Sequence, residues 1–175
     1  MASAITAISN DGTENSSVYV IKLDELEHAA VRTGIAYWQA LRAGRKVPAR
    51  SQLSPRDMAG ILRNVVLVKV VDGGRDYEYR IAGDAHVQAF TVRFKNLRLS
   101  QLSERAPGLG RILHGLYEHV RTTGEPLAVR GWVDRDLPET RFMYYESALL
   151  PLSEDGETVD HVLVVSIYVP KSADF

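Results

Sequence analysis

A chain of 175 residues, 45% hydrophobic and 25% charged, has the composition of an ordinary globular protein rather than a disordered or fibrous one. Its length favours one domain, able to bury roughly 70% of its unfolded surface. With 21 Lys and Arg against 22 Asp and Glu the net charge is −1, without the basic excess of a general duplex-binding surface, and the absence of cysteine removes disulfides, thiolate metal sites, cysteine nucleophiles and thiol-linked chromophores.

The first residues contain neither Lys nor Arg up to position 17 and have no apolar core, so they do not read as a secretory signal. Rich in Ser, Thr, Asn, Asp and Gly, residues 1–22 are expected to be a disordered leader. The longest aliphatic runs are four residues, Val65 to Val68 and Val162 to Val165, far short of the ~20 needed to span a bilayer. A cytoplasmic protein is the expectation.

An amphipathic helix is predicted over Asp24 to Ala43, with Asp24 as N-cap, Glu27 completing a capping box and Gly44 as the stop. Leu23, Leu26, Ala30, Tyr37, Trp38 and Leu41 fall within an arc of about 120°, with Gly34 inside it. Small residues within a stripe let another backbone approach closely. Two readings follow: docking on the chain's own sheet, or a homodimer seam through Ala30, Gly34, Tyr37, Trp38 and Leu41. A basic linker from Arg45 to Gln52 comes next, then a short helix from Ser54-Pro55 to about Leu62.

The periodicity then changes to two. Val65 to Val71 and Asp76 to Ala82 read as a hairpin around Asp72-Gly73-Gly74-Arg75. A short helix from Gly83-Asp84 to about Phe90 leads into an irregular stretch anchored by Leu97, Leu99 and Leu102. The second long helix is Gly108 to Thr123, with Leu109, Ile112, Leu113, Leu116, Tyr117 and Val120 on one face and Gly124 closing it. Three strands end the chain: Pro126 to Val133, Arg141 to Leu152 and Val159 to Val169. A charged loop at 135–139 joins the first two, and Ser153-Glu154-Asp155-Gly156 joins the last two. Short links imply antiparallel neighbours. The result is an α+β layer fold: a five-stranded antiparallel sheet, helices on one face, and an N-terminal amphipathic helix. The division expected is a helical segment at 23–62, a sheet domain at 63–170 and a tail at 171–175.

Chemical motifs are sparse. His114 and His119 stand five residues apart, roughly 140° around a helix, so they cannot grip one ion from one face. His114 is expected to be exposed, and His161 to be a core-edge imidazole bonded to the backbone. Gly108-Leu109-Gly110-Arg111 lacks the third glycine of a dinucleotide loop and reads as the start of a helix. No paired acid and base or nucleophile set is present, so catalytic activity is not expected. Arg42, Arg45, Lys46, Arg50 and Arg56 put five cations in fifteen residues without an acid. Solvated linker is one reading; the other is an anion or acidic-partner site at Arg45, Lys46 and Arg50, where guanidinium forks suit phosphate.

The element order, together with Tyr37-Trp38, Pro48-Ala49-Arg50, Leu53-Ser54-Pro55, Tyr79-Arg80-Ile81-Ala82-Gly83, Gly124-Glu125-Pro126 and Tyr145-Glu146 before Leu149-Leu150-Pro151-Leu152-Ser153, resembles a stand-alone PAS domain subfamily found in alphaproteobacteria, over about residues 25 to 169. The resemblance implies a sensory or protein-interaction module, with output through a signalling partner or a rearranging homodimer. A ligand-free dimeric adaptor and a small enzyme using the same cavity are the alternatives. In the resembling fold Tyr79, Phe90, Trp132 and Tyr145 face or rim a cavity that takes small molecules in some members, with plain core packing as the competing role; His86 is a further pocket residue. In haem-binding relatives an iron-ligating histidine lies on the long helix, and His119 is its positional counterpart, against the simpler role of a solvent-edge histidine. Without cysteine no flavin–thiol adduct can form. A colourless protein is expected.

Overall fold

The computed structural model describes residues 17–133 and 138–171. The two aliphatic runs of the sequence become its central strands, β2 (Val65–Val71) and β6 (His161–Pro170). They lie antiparallel, Val65 opposite Val165 and Val68 opposite Val162. Every residue of both runs is buried, because successive side chains leave by opposite faces and both faces are covered. β3 (Asp76–Ala82) pairs with β2 across the tight turn. On the other side β5 (Phe142–Leu152) pairs with β6, and β4 (Leu127–Trp132) with β5.

A sixth strand closes that edge. β1 (Ser17–Ile21) runs antiparallel to β4, from Ser17 opposite Trp132 to Ile21 opposite Ala128, giving the order β1-β4-β5-β6-β2-β3. The expectation of five strands is therefore corrected to six. The disordered leader is corrected from Ser17 onward, where Val18-Tyr19-Val20-Ile21 is a β-branched and aromatic run that fits a pleated edge. The rest of that leader (1–16), residues 135–137 of the charged loop and 172–175 of the tail lie outside the described residues.

The helices after the first hairpin lie on one face of the sheet, as expected, and the N-terminal helix docks on the other. α1 (Ala29–Arg42) and the turns around Met58 and Ile61 share a core with Leu67, Ala148, Leu150 and Leu163. On the opposite face α2 (Asp84–Ala89), α3 (Leu99–Arg105) and α4 (Pro107–Thr123) pack over Val66, Val129, Leu149 and Val164. α3 occupies the stretch expected to be irregular and buries two of its three leucine anchors, Leu99 and Leu102. The expected helix after Ser54 is a series of turns with a 3-10 turn at Leu62–Asn64; Gly60 in its middle disfavours helix by about 1 kcal/mol. No helix of the described residues is long and apolar enough to cross a membrane.

α1 begins at Ala29 rather than Asp24, because Leu23–Glu25 forms a separate 3-10 turn and leaves Asp24 exposed. A sheet carboxylate takes over at the head of the helix. Glu146, 1% exposed, accepts hydrogen bonds from the backbone N–H of Glu27 (3.2 Å) and His28 (3.3 Å) and from the Tyr144 hydroxyl (2.9 Å).

The helix stripe read as a dimer seam faces the chain's own sheet instead. Gly34 sits so close to β6 that a Cβ there would lie 2.6 Å from Val165 Cγ2. Trp38 is 1% exposed and donates from Nε1 to the Pro151 carbonyl at 2.8 Å. The Tyr37 hydroxyl accepts from the Ser54 N–H at 2.8 Å, and Ala30 packs at the margin of the same core. Leu41 is half-buried. Ala30, Gly34, Tyr37 and Trp38 are thus engaged within the chain's own fold, so a seam built on them is corrected.

Candidate functional site

A cavity of about 70 Å³ lies between α4 and the sheet. A cavity of about 150 Å³ takes one benzene ring and roughly 10–15 Å³ is the least that holds a water, so this space is smaller than a substituted ring and has room for a few waters. Its roof comes from helix periodicity: Leu109, Ile112, Leu113 and Leu116 hang from α4, which starts on Pro107 and stops at Gly124 in the left-handed conformation. Its floor follows from strand alternation. Tyr145, Ser147 and Leu149 of β5 and Val164, Ser166 and Tyr168 of β6 point into it, while Glu146, Ala148 and Val165 point to α1. His86 and Phe90 close one end, and Val18, Trp132 and Val133 line the other, at the β1–β4 edge.

The floor is a strip of hydroxyls. Ser147 and Ser166 share a hydrogen bond of 2.6 Å between their Oγ atoms. The Tyr168 hydroxyl lies 2.5 Å from His86 Nδ1. Tyr117, which reaches the cavity from α4, and Tyr79, which does not line it, share one at 3.0 Å. The Tyr145 hydroxyl makes no hydrogen bond to a described residue. Room for its ring depends on Gly131: a Cβ there would stand 2.8 Å from Tyr145 Oη and 2.2 Å from the Ser17 carbonyl. Burial pushes the phenols of Tyr79, Tyr117, Tyr145 and Tyr168 up, so all are neutral donors and acceptors.

His86 is 6% exposed and boxed by rings, with Phe94 centred 4.3 Å away, Phe90 4.7 Å and Tyr79 6.0 Å. Burial lowers its pKa to about 3, which fixes the imidazole as neutral at ordinary pH. Its Nε2 is buried with no partner among the described residues. An unsatisfied buried polar atom of this kind costs about 1–3 kcal/mol.

The residues picked out by sequence divide accordingly. His86, Phe90, Trp132 and Tyr145 line the cavity. Tyr79 stands behind it, bonded to Tyr117 and facing His86. His119 is exposed on α4 and does not line the cavity, which corrects the positional assignment of an iron ligand. The apolar face of α4 is set by Tyr117 and Val120, and His119 is about 100° off Val120. His114 is half-buried rather than exposed, with Nε2 3.3 Å from the Gly74 carbonyl and its ring edge-on to Tyr77. His161 bonds the Asp160 carboxylate at 2.6 Å and not the backbone. Among the described residues no group of three or more His, Asp and Glu is placed to hold a metal ion.

The basic loop is partly engaged. The guanidinium of Arg45 donates to the Gln52 side chain. Arg42 donates to the Arg45 carbonyl at 3.0 Å and lies 5.1 Å from the centre of the Trp38 ring. Hydrogen bonds from Ser51 hold the Glu154 carboxyl below its usual range, with smaller pulls from His161 and Arg50. Lys46 is exposed beside Gly124.

Sequence reasoning missed Ser147, Ser166 and Tyr168. The signal was present: Ser166 follows Val162 and Val164 at the same strand register, and a hydroxyl at an inward position has to be accounted for.

A family model described as a PAS domain matches residues 26–166. No curated protein and no solved structure matches the chain.

Proposed function

Because this chain belongs to the PAS domain family, we propose that it is a sensory or regulatory module whose signal is the occupancy of the cavity under α4. The observation that carries this reading is the wall itself: an aliphatic helix face opposite a strip of neutral hydroxyls. Ligand pockets have this make-up, mostly apolar with a few polar groups that orient the guest. The same wall supports a binding role over a catalytic one. Its hydroxyls are held neutral by burial, and its one imidazole is bonded to a phenol rather than to a serine or a carboxylate.

Native mass spectrometry of protein purified from its source organism tests the reading. A bound small mass is expected, lost in Leu113→Trp, where the indole would fill the space. A ligand-free adaptor is the rival reading, supported by the exposed aromatic row of Tyr19 and Trp132 (46% and 47% exposed) with Tyr144 beside it. An empty wild-type protein that co-purifies with a second protein, and releases it in Trp132→Ser, would favour the adaptor.

A further inference from the structure

The two edges of the sheet differ. On the β3 side, residues 96–100 lie along the strand. The Tyr79 N–H donates to the Leu97 carbonyl at 2.9 Å, the Asn96 N–H donates to the Tyr79 carbonyl at 3.1 Å, and the Asp76 carboxylate accepts from the N–H and hydroxyl of Ser100. On the other side β1 has β4 as its one strand neighbour among the described residues. An open edge offers a row of backbone donors and acceptors to any strand that reaches it, and proteins commonly blunt such edges with Lys, Pro or a bulge. Ser17–Ile21 has none of these; only its length of 5 residues limits it.

We infer that this edge pairs with the same edge of a second copy of the chain, antiparallel, with Tyr19 on the two-fold axis. The strand itself selects the occupant. Val18-Tyr19-Val20 reads the same in both directions, so an isologous pair sets Tyr19 against its own copy and Val18 against the copy of Val20. No charged residue lies in the strand, so nothing repels across the axis.

The faces match as well. Val18 and Val20 pack with the core under α4 and Ile21 with the core under α1, so Tyr19 stands on the α1 side. There it is 46% exposed, edge-on to the 47% exposed Trp132 at 6.0 Å. Joining two edges lines up Trp132, Tyr19 and their copies and covers aromatic surface that a single chain leaves in water. Tyr and Trp are the residue types that anchor interfaces. The short strand makes a small contact, so the association is weak and rises with concentration. Val18 also lines the cavity, so a guest and a second copy act on one strand. The inference nonetheless stands apart from the ligand reading: a monomer carrying a bound small mass would remove the one and leave the other.

Sedimentation velocity of the full chain, from micromolar to millimolar concentration, tests it. The wild type is expected to move from monomer towards dimer across that range. Tyr19→Lys and Tyr19→Glu each place two like charges across the axis and should weaken self-association at least tenfold. Their equimolar mixture should return to within threefold of wild type, because Lys and Glu meet there only if residue 19 lies on the axis. Thermal melts close to that of the wild type report that both variants are folded. Tyr19→Cys reads the same geometry without a charge, in a chain otherwise free of cysteine. Paired Cα atoms lie about 4.5–5.5 Å apart, within disulfide reach, so mild oxidation should cross-link it to its copy. Lys22→Cys should stay uncross-linked, roughly 20 Å from its copy along the paired strands. A wild type that remains monomeric at millimolar concentration overturns the inference and leaves the edge to another protein or to the chain's own residues before Ser17. Dimers undiminished in Tyr19→Lys and Tyr19→Glu, or cross-linked equally through Lys22→Cys, overturn it too and place the contact elsewhere.

Discussion

At the scale of single residues, His86 makes the most definite statement about pH. Burial takes it from an ordinary value near 6.5 to about 3. Below 6.5 the unfolded chain takes up a proton that the folded chain refuses until about pH 3. The folded state therefore loses stability as pH falls through that window, by up to ~1.4 kcal/mol per pH unit. Glu118, drawn down to about 2 chiefly by the Arg121 guanidinium, contributes stability that is complete above 4.5 and lost only as pH falls towards 2. The interval from pH 7 to pH 5 thus isolates the histidine. Urea midpoints of the wild type should decline across it, and His86→Phe should flatten the decline even though it also loses the bond to Tyr168. Parallel slopes in the two proteins would count against a buried neutral imidazole. Of the cavity residues, Phe90, Trp132 and Tyr145 were legible through the resemblance, which places their elements around a cavity, whereas Tyr168 was missed. The serines were not legible, since single hydroxyls are common on exposed strand faces as well. His119 takes the solvent-edge role and not that of its positional counterpart in haem-binding relatives: Val120 beside it is fully buried, and a 100° rotation separates core from solvent.

At the scale of elements, α1 carries the clearest reversal. A stripe with small residues at its centre signals close approach, and periodicity alone cannot say to what. The structure answers with β6. Had the stripe been a seam between two chains, Gly34→Leu would weaken the dimer and spare the monomer. With a Cβ only 2.6 Å from Val165, it should instead destabilise the single chain. Overpacking of this kind costs about 1–3 kcal/mol, which corresponds to a fall in melting temperature of about 3–10 °C for a chain of this size. Thermal melts combined with sedimentation decide the matter: an unchanged melting temperature together with altered self-association would restore the seam. The start of α1 was misplaced for a related reason. Asp24 and Glu27 fit a local capping pattern, but the carboxylate at the head of the helix comes from Glu146, more than a hundred positions away. Long-range partners leave no local trace. β1 was hidden differently, as five residues of strand type placed directly after a polar stretch.

At the scale of the whole molecule, the order of elements and the antiparallel pairing were legible because short links constrain neighbours and alternation marks strands. The placement of helices on two faces was not. The apolar stripe of a helix says that it is covered, without saying which side of a sheet covers it. The uninterrupted aliphatic runs of β2 and β6 were the available clue, since a strand with one wet face would alternate. The two-sided sheet also separates the chain's two tryptophans, one per face environment: Trp38 is sealed beneath α1, and Trp132 is half-open at the mouth of the cavity. That separation makes the molecule a two-channel optical reporter. Trp38 should emit at the blue end of the spectrum and ignore acrylamide, and Trp132 should emit further to the red and be quenched by it. In Trp38→Phe the remaining emission would belong to the cavity mouth alone, and in Trp132→Phe to the docking of α1. A single emission band with uniform quenching in the wild type would mean that the two faces are not insulated from each other as the fold implies.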